Sequence, residues 1–196
     1  MLTYAATKNA GKLAELRAIF ADSPLELAVY PAYGDVEEGS ESYAANARLK
    51  ARALFDQLRA VGICAAVLAD DSGLEVTALG NRPGVLSARY GGVALSWPER
   101  RKKLLNEMRD VEDDLRTAKF VSAIAVILPS GELFEGHGEV RGSVARVEQG
   151  TFGFGYDPVF FYPPSGKLFS QLSEEQKNRV SHRYNAACAL LAAMPK

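Results

Sequence analysis

The chain has 196 residues, of which 47% are hydrophobic and 24% are charged, and its formal net charge is -1 at pH 7. A chain of this length buries roughly 70% of its unfolded surface, which predicts a single globular domain over residues 1–196. The balanced charge gives no reason to expect a nucleic-acid polymer or an anionic membrane as a partner, so any phosphate site must be local.

The N-terminus and the cysteines argue against two further classes of protein. Residues 1–9 lack the basic region and apolar run of a secretion signal, and no apolar run approaches the ~20 residues that span a bilayer. Cys64 and Cys188 stand in apolar surroundings without metal-ligand spacing, so we predict that both are small core residues. A cytoplasmic protein is expected.

The first segment predicts a strand over residues 2–6, a polar loop, and a helix whose apolar residues recur at helical spacing from Leu13 to Phe20. A loop that joins a strand to a helix N-terminus gathers unpaired backbone N–H groups, which makes it a candidate phosphate cradle. The loop consists of Thr7, Lys8, Asn9, Ala10, Gly11 and Lys12. In the alternative interpretation, Thr7 or Asn9 simply caps the helix and Lys12 is solvated.

A second strand is predicted over residues 25–29, followed by a carboxylate-rich loop over residues 34–41. Ser42 then begins a long helix that extends to about residue 59. Acidic residues beside a helix N-terminus favour the helix dipole, so Glu37, Glu38 and Glu41 have a purely structural explanation.

The stretch from residue 68 to residue 76 is the centre of the predicted site. An apolar strand over residues 64–69 ends in Asp70, Asp71, Ser72 and Gly73, and another apolar run follows over residues 74–79. A strand that ends in this way delivers two carboxylates and a hydroxyl group to a sheet edge, while the glycine lets the backbone turn. Taken alone, these four residues favour an ordinary turn between two strands.

The middle of the chain predicts a loop over residues 81–92, a helix over residues 96–108 with Pro98 in its first turn, and a solvated charged connection over residues 109–116. Residues 117–128 and 133–140 predict an antiparallel hairpin, and residues 144–147 predict a further strand.

Glycine alternates with aromatic residues over residues 150–158, which suggests a backbone that lies close to a flat ligand. The alternative is a loop packed by its own aromatic rings. Ser173 begins a capping box, and the helix that follows is expected to break near Ser181 and continue to residue 193. His182 and Arg183 then lie at a helix N-terminus, where the dipole adds to their attraction for anions, although such a pair is also typical of a solvated surface.

In this order, the separated motifs resemble the inosine/xanthosine triphosphate pyrophosphatase family, which removes deaminated purine nucleotides. The matching pieces span nearly the whole chain: residues 7–12, 37–38 with 46–51, 69–74, 83–84 with 87–90, 154–158 and 181–183. Lys8, Ala45 and Tyr184 depart from the residues that are common in the family. The departures at Lys8 and Tyr184 bear on the rim of the site and on base preference rather than on the reaction type.

The resemblance implies a Mg²⁺-dependent hydrolase that cuts a nucleoside triphosphate between its α and β phosphates and gives a monophosphate and pyrophosphate. The implied fold is an elongated α/β structure in which two lobes surround a central mixed β-sheet flanked by helices. Members of the family are usually homodimers.

The resemblance also assigns roles to the site residues. Asp71 is the general base and a metal-associated residue, Glu37 is the second metal carboxylate, and Glu38 and Asp70 are alternatives to it. Lys12 and Lys177 are expected at the phosphates, assisted by Ser72 and the N–H groups of residues 9–12, with Lys50 as a further candidate.

At the base end, donors from His182 or Arg183 would suit the 6-oxo group of inosine or xanthosine and leave adenine mispaired. Phe154, with Phe152 as a second candidate, would stack on the purine within the segment that also contains Gly155 and Tyr156. Asp157 would accept a hydrogen bond from the base or hold the arginine.

Two alternative functions stay open on the sequence alone. A related pyrophosphatase that acts on pyrimidine or modified nucleotides would share the metal and phosphate chemistry, so a substrate panel would separate it. A nucleotide-binding regulator without turnover would bind tightly and release no pyrophosphate.

Overall fold

A computed structural model describes residues 1–34, 36–39 and 41–195, and within them the strands form one mixed sheet of eight. The order along the sheet is β2-β1-β3-β5-β6-β7-β8, and the short β4 pairs with the far end of β3. Strand β1 pairs in parallel with both β2 and β3, and the remaining pairings are antiparallel. The predicted fold class, a mixed sheet flanked by helices, is confirmed.

The strands are β1 Leu2–Ala5, β2 Glu26–Val29, β3 Ala66–Val76, β4 Arg82–Pro83, β5 Thr117–Ile127, β6 Leu133–Val144, β7 Phe160–Tyr162 and β8 Lys167–Leu168. The α-helices are α1 Ala10–Ile19, α2 Tyr43–Ala60, α3 Trp97–Glu107, α4 Glu174–Asn178 and α5 His182–Ala193. Within the described residues, no helix combines the length and the apolarity that a bilayer crossing requires. The loop predicted over residues 34–41 includes Asp35 and Ser40, which lie outside the described residues.

Successive side chains of β3 and β5 point to alternate faces of the sheet, so the apolar core is divided between the two faces. Val67 and Ala69 pack with Ala123 and Ala125 against α2, whereas Leu68 packs with Ile124 and Val126 against α1 and α5. Since successive side chains of a strand point to opposite faces, each strand feeds two apolar layers. A third apolar cluster covers the other end of the sheet, where Leu104 and Met108 contribute from α3 and its C-cap, and Phe120 and Phe160 contribute from the strands.

The predicted turn at residues 70–73 does not exist. Asp70, Asp71, Ser72 and Gly73 lie inside β3, paired residue by residue with β5. Gly73 is needed for close approach rather than for turning, because a Cβ atom at this position would overlap the carbonyl oxygen of Gly84. The motif therefore stands on a rigid central strand instead of a flexible connection.

Helix α5 lies directly on the backbone of β6. A Cβ atom at Gly138 would overlap the backbone nitrogen of Ala186 and the carbonyl oxygen of His182. The first turn of α5, which carries His182 and Arg183, thus contacts the sheet without an intervening side chain. Ser181 caps this helix by accepting a hydrogen bond from the backbone N–H of Tyr184, which confirms the predicted break.

Three further predictions from the sequence are wrong. Cys64 and Cys188 are exposed rather than buried in the core. Residues 144–147 form no separate strand, since β6 continues through Val144. The charged connection over residues 109–116 is not wholly solvated, because Arg116 is buried and donates to the carbonyl oxygens of Met108, Val111, Val144 and Ala145.

Candidate functional site

The two adjacent carboxylates of β3 point to opposite faces of the sheet. Asp71 shares the α2 face with Ala69, and Asp70 shares the opposite face with Leu68. Each carboxylate meets cationic groups from the helices on its own side. Alternation therefore explains how two neighbouring acids occupy different environments only one residue apart.

Helix α2 supplies the partners of Asp71. The ammonium nitrogen of Lys50 lies 3.1 Å from Oδ1 of Asp71, and Nδ2 of Asn46 donates to Oδ2 at 3.0 Å. Lys50 also donates to Oε1 of Glu38 at 2.8 Å, so one cation faces two carboxylates. Burial raises the pKa of Asp71, while the charges of Lys50 and Lys12 oppose that rise.

Asp70 is held on the other face by groups from α1, β5 and α5. Lys12 lies 2.8 Å from Oδ2, Nε of Arg183 lies 3.3 Å from the same oxygen, and Ser122 donates to Oδ1 at 2.6 Å. Burial opposes ionisation of Asp70, but the charges of Arg183 and Lys12 outweigh it and hold its pKa well below the usual value. Both oxygens of Asp70 are thus used by protein groups.

The polar loop after β1 has its own hydrogen bonds. The side chain of Asn9 accepts from the backbone N–H of Lys12 at 3.1 Å and caps α1, and Oγ1 of Thr7 accepts from the N–H of Asn9 at 3.1 Å. The capping role offered as an alternative for Asn9 is therefore confirmed. Lys12 is not simply solvated, because its ammonium group is paired with Asp70.

A polar cleft lies between this loop and the acidic loop. It is lined by Thr7, Lys8, Asn9, Lys12, Glu37, Glu38, Lys50 and Arg89. Glu38 is half-buried and paired with Lys50 and Arg89, whereas Glu37 is exposed and forms no ion pair with any other described residue. Among residues 1–34, 36–39 and 41–195, no group of three or more His, Cys, Asp or Glu side chains has the spacing of a metal site.

A second cavity connects the charged groups to an aromatic end. Asn9, Lys12, Glu38, Asp71 and Ser72 line the charged end, and Trp97, Phe120, Phe154, Tyr156 and His182 line the aromatic end. One cavity can therefore hold a ligand that is anionic at one end and flat at the other.

His182 lies in this aromatic end. Its imidazole stacks on Phe120 with a centroid distance of 4.8 Å, and its Nδ1 is buried without a hydrogen-bond partner among the described residues. Burial, and then the charge of Arg183, lower the pKa of His182 well below its ordinary value. The ring is therefore neutral near pH 7, with one donor and one acceptor nitrogen.

Lys177, which was expected at the phosphates, is buried and paired with two carboxylates. Its ammonium nitrogen lies 3.1 Å from Oε2 of Glu15 and 2.8 Å from Oδ2 of Asp157, and it lies 4.6 Å from the centroid of the Phe154 ring. Two carboxylates already neutralise this cation. Lys177 thus organises the loop at residues 153–157, where Asp157 also accepts from the backbone N–H of Phe154.

Arg183 connects both halves of this buried network. It contacts Asp70, lies 3.1 Å from Oε2 of Glu15, and donates to Oγ of Ser72 at 2.6 Å. Its guanidinium carbon lies 5.3 Å from the centroid of the Phe154 ring. Arg183 is therefore a buried, fully partnered group rather than a solvated surface residue.

Several residues of the site were not predicted from the sequence. Asn46 lies within a family motif but was given no role. It stands four residues before Lys50, the further candidate for the phosphates, and this spacing on α2 signals a shared face. Ser122 is a lone hydroxyl in an apolar strand, which is a weak signal. Glu15 gave no signal in the sequence, because a glutamate in a helix is usually solvated. In the structure it is only 6% exposed.

The lowered pKa of Glu15 predicts that the fold loses stability in acid. Burial opposes its ionisation, but Arg183 and Lys177 lower its pKa from 4.5 to about 2. A lowered pKa stabilises the fold above the unfolded value, and this contribution is lost as the pH falls from 4.5 towards 2. We expect about 3 kcal/mol to disappear over that window, measured by urea denaturation at each pH.

The variant Glu15→Gln provides the control for this prediction. It should be less stable at neutral pH and should lose less stability between those pH values. Asp70 also has a lowered pKa and loses stability in acid in both proteins, so the difference between the two slopes isolates Glu15. Asp71 and Asp157 have raised pKa values and act in the opposite direction in both proteins. An unchanged pH slope in Glu15→Gln would show that other groups carry the effect.

Fold and site together define an α/β protein in which buried carboxylates, cations and aromatic rings line two adjoining cavities. Comparison with known proteins supplies the family. The chain belongs to the Ham1 family, whose model matches residues 3–193. The family resemblance predicted from the sequence motifs is confirmed.

Individual relatives support the same assignment. A Listeria monocytogenes protein named dITP/XTP pyrophosphatase is 44% identical over 184 residues, which cover 92% of this chain and 88% of the relative. The solved structure of a HAM1 protein from Coxiella burnetii has a TM-score of 0.85 at 33% identity and covers 98% of this chain and 97% of its own. A Mycobacterium abscessus structure titled nucleoside-triphosphatase / dITP/XTP pyrophosphatase has a TM-score of 0.73 at 40% identity, with 97% and 99% of the two chains covered.

Proposed function

We propose that this protein hydrolyses deaminated purine nucleoside triphosphates, namely inosine, deoxyinosine and xanthosine triphosphates, to the monophosphate and pyrophosphate, and so removes them from the nucleotide pool. The observation that carries the proposal is the cavity that brings Asp71 and Lys12 together with an aromatic end containing His182. The printed names of the relatives, dITP/XTP pyrophosphatase, support the same substrates.

Asp71 is the proposed general base. Its carboxylate lines the cavity, and burial raises its pKa, which makes it a stronger base than an ordinary aspartate. Asn46 and Lys50 fix the direction of the carboxylate from the α2 side. The carboxylate can therefore take a proton from a water molecule that attacks the triphosphate.

The cations around Asp71 suit the phosphate end of the substrate. Negative charge shifts towards the departing pyrophosphate in the transition state, so fixed positive groups lower the barrier. Lys12 and Lys50 line the polar cleft, and burial lowers the pKa of Lys12 despite the charge of Asp70. We assign the phosphates to these two lysines and to the loop of residues 7–12.

The carboxylates of the cleft fit a Mg²⁺ ion, which takes hard oxygen ligands and usually binds through one or two carboxylates plus substrate phosphates. Glu38 and Asp71 already share one cationic partner in Lys50, and Glu37 has no ion pair with a described residue. We propose that Asp71 and Glu37 hold the ion, with Glu38 beside them. Asp70 points to the opposite face of the sheet, where Lys12, Arg183 and Ser122 hold it. The bound ion would neutralise charge on the phosphates.

Base recognition is assigned to the aromatic end. The buried, unpartnered Nδ1 of His182 needs a hydrogen-bond partner, and the edge of a 6-oxopurine offers both a donor and an acceptor. Phe154 supplies a ring for stacking, and the neighbouring Gly155 and Tyr156 line the same cavity. Arg183 and Asp157 are held in the buried ion-pair network behind the ring. Phe152 is 52% exposed and lines a separate cavity on the other side of Phe154.

The inorganic product tests this proposal directly. Purified protein is incubated with inosine, xanthosine, adenosine and cytidine triphosphates, with and without Mg²⁺. We expect pyrophosphate from the first two at rates roughly 10²-fold or more above the others, and only with the metal. Orthophosphate as the product would contradict the reaction. A preference for cytidine triphosphate would favour the pyrimidine alternative, and tight binding without turnover would indicate a regulator.

Three further features complete the proposal. Residues 1–196 are taken as one domain of two lobes, which the single sheet and its shared strands support. A homodimer and a cytoplasmic location follow from the family resemblance. Sedimentation analysis of the purified chain measures the oligomeric state.

A further inference from the structure

Trp97 lies at the aromatic end of the cavity, although no sequence motif marked it. It is the first residue of α3, and it lines the same cavity as Asp71 and His182. Atoms of the indole lie 3.7 to 4.0 Å from the position that a Cβ atom of Gly155 would take. The ring therefore lies beside Gly155, in the loop that the proposed function assigns to the base.

Two neighbours hold the indole in place. Tyr156 meets it edge to face, with centroids 5.5 Å apart and an interplanar angle of 83°, and the guanidinium carbon of Arg100 lies 5.5 Å from the ring centroid. Arg100 is itself buried and donates to the carbonyl oxygens of Tyr90, Gly92 and Leu95 at 2.7, 3.1 and 2.6 Å.

The backbone at the start of α3 is also held in place. Ser96 and Glu99 form a capping box, and Pro98 occupies the first helical turn. The backbone at Trp97 is thus held by the cap while the side chain is held by its neighbours. Moving the indole away from the cavity would break its contacts with Tyr156 and Arg100.

We propose that Trp97 is a specificity-determining residue of this site, a fixed apolar wall that limits the size of the base. This inference rests on the proposed function, because it takes the ligand to be a purine nucleotide. A hydrogen-bonding group such as His182 selects a base by its polar edge. A rigid indole selects by shape, since added bulk on the edge of the base that faces it has no space.

The chain contains only one tryptophan, so its fluorescence reports directly on this wall. The wild-type protein is titrated in Mg²⁺ buffer with inosine monophosphate and, separately, with inorganic pyrophosphate. We expect the nucleotide to change the emission saturably and pyrophosphate to leave it nearly unchanged. Equal changes from the two ligands, or no change when calorimetry shows that the nucleotide binds, would overturn the placement of Trp97 beside the base.

Substrate ratios test the selectivity. The values of kcat/KM are measured for inosine triphosphate and for two bulky analogues, 8-bromoinosine triphosphate and N2-ethylguanosine triphosphate. We expect Trp97→Ala to raise the ratio for at least one analogue over inosine triphosphate by about 10-fold or more. Trp97→Phe, which keeps an aromatic ring, should give an intermediate ratio.

Val93→Ala is the matched control, because Val93 is 82% exposed and lies shortly before the same helix. Its ratios should equal those of the wild type. Unchanged ratios in both Trp97 variants would refute the inference. If Trp97→Ala does not fold, an unchanged ratio in Trp97→Phe together with an unresponsive wild-type emission has the same meaning.

Failure of the proposed function would look different. If the wild type binds inosine monophosphate but releases no pyrophosphate from the triphosphate, the proposed reaction fails. The inference about Trp97 is then tested by the fluorescence titration and by the affinities of the two bulky monophosphates. If pyrophosphate is released and the ratios do not change, only the inference fails.

Discussion

Replacing Asp71 with asparagine is expected to lower the rate of pyrophosphate release from inosine triphosphate by roughly 10²-fold or more, as the loss of a transition-state group typically does. Asparagine keeps the size of the side chain and can still accept a hydrogen bond from Lys50. It cannot take a proton from water at neutral pH, nor does it contribute a negative charge to the metal. The effect should therefore appear in kcat, measured with saturating substrate and Mg²⁺.

Glu75→Gln is the control for the Asp71 variant. Glu75 lies four residues further along β3 and pairs with Lys119 outside the cavity. Its replacement removes a carboxylate from the same strand without touching the site, so turnover should stay within about twofold of the wild-type rate. The melting temperatures of both variants show whether the sheet is intact. Wild-type turnover in Asp71→Asn would remove Asp71 from the mechanism.

Replacing Arg183 with alanine is expected to be the most destabilising of these changes. The substitution removes one cationic partner from each of two buried carboxylates. Asp70 keeps Lys12 and Ser122 as partners, and Glu15 keeps only Lys177. Removing one partner from a buried ion-pair network costs about 3–5 kcal/mol, because the remaining charges stay buried and underpaired. For a chain of this length, the melting temperature should fall by on the order of 10 °C.

Arg179→Ala tests the same chemistry on the surface. Arg179 precedes α5 and pairs with Glu175, but both side chains are about three-quarters exposed. Exposed pairs contribute about 0–1 kcal/mol, so calorimetry should show little change in its melting temperature. Equal melting temperatures for the Arg179 and Arg183 variants would mean that the buried network contributes no more than a surface pair.

Local sequence patterns predicted most of the secondary structure. Ser42, Ser96 and Ser173 mark helix starts by short-range hydrogen bonds, and the apolar hairpin at residues 117–140 depends on a nearby turn. Such signals act over a few residues, so they are visible in the sequence itself. The family motifs added the identity of the site residues, which periodicity alone does not provide.

The failures at the site share one physical cause, which is contact between distant parts of the chain. Asp70 to Gly73 look like a turn because their polar side chains have no local partners. Their partners come from β5, α1, α2 and α5, as far as residue 183. The burial of Glu15 depends in the same way on Lys177, which is 162 residues away. No local pattern carries that information.

The contact between α5 and Gly138 has a consequence for how selectivity can change in this family. Because helix backbone rests on strand backbone, the distance between them does not depend on side-chain volume, and repacking the neighbouring core leaves the height of the first helical turn unaltered. His182 and Arg183 therefore occupy fixed coordinates relative to the sheet. New substrate preferences would be acquired by exchanging side chains around the first turn of α5, such as the one at position 97. The position of that turn on the sheet would not change.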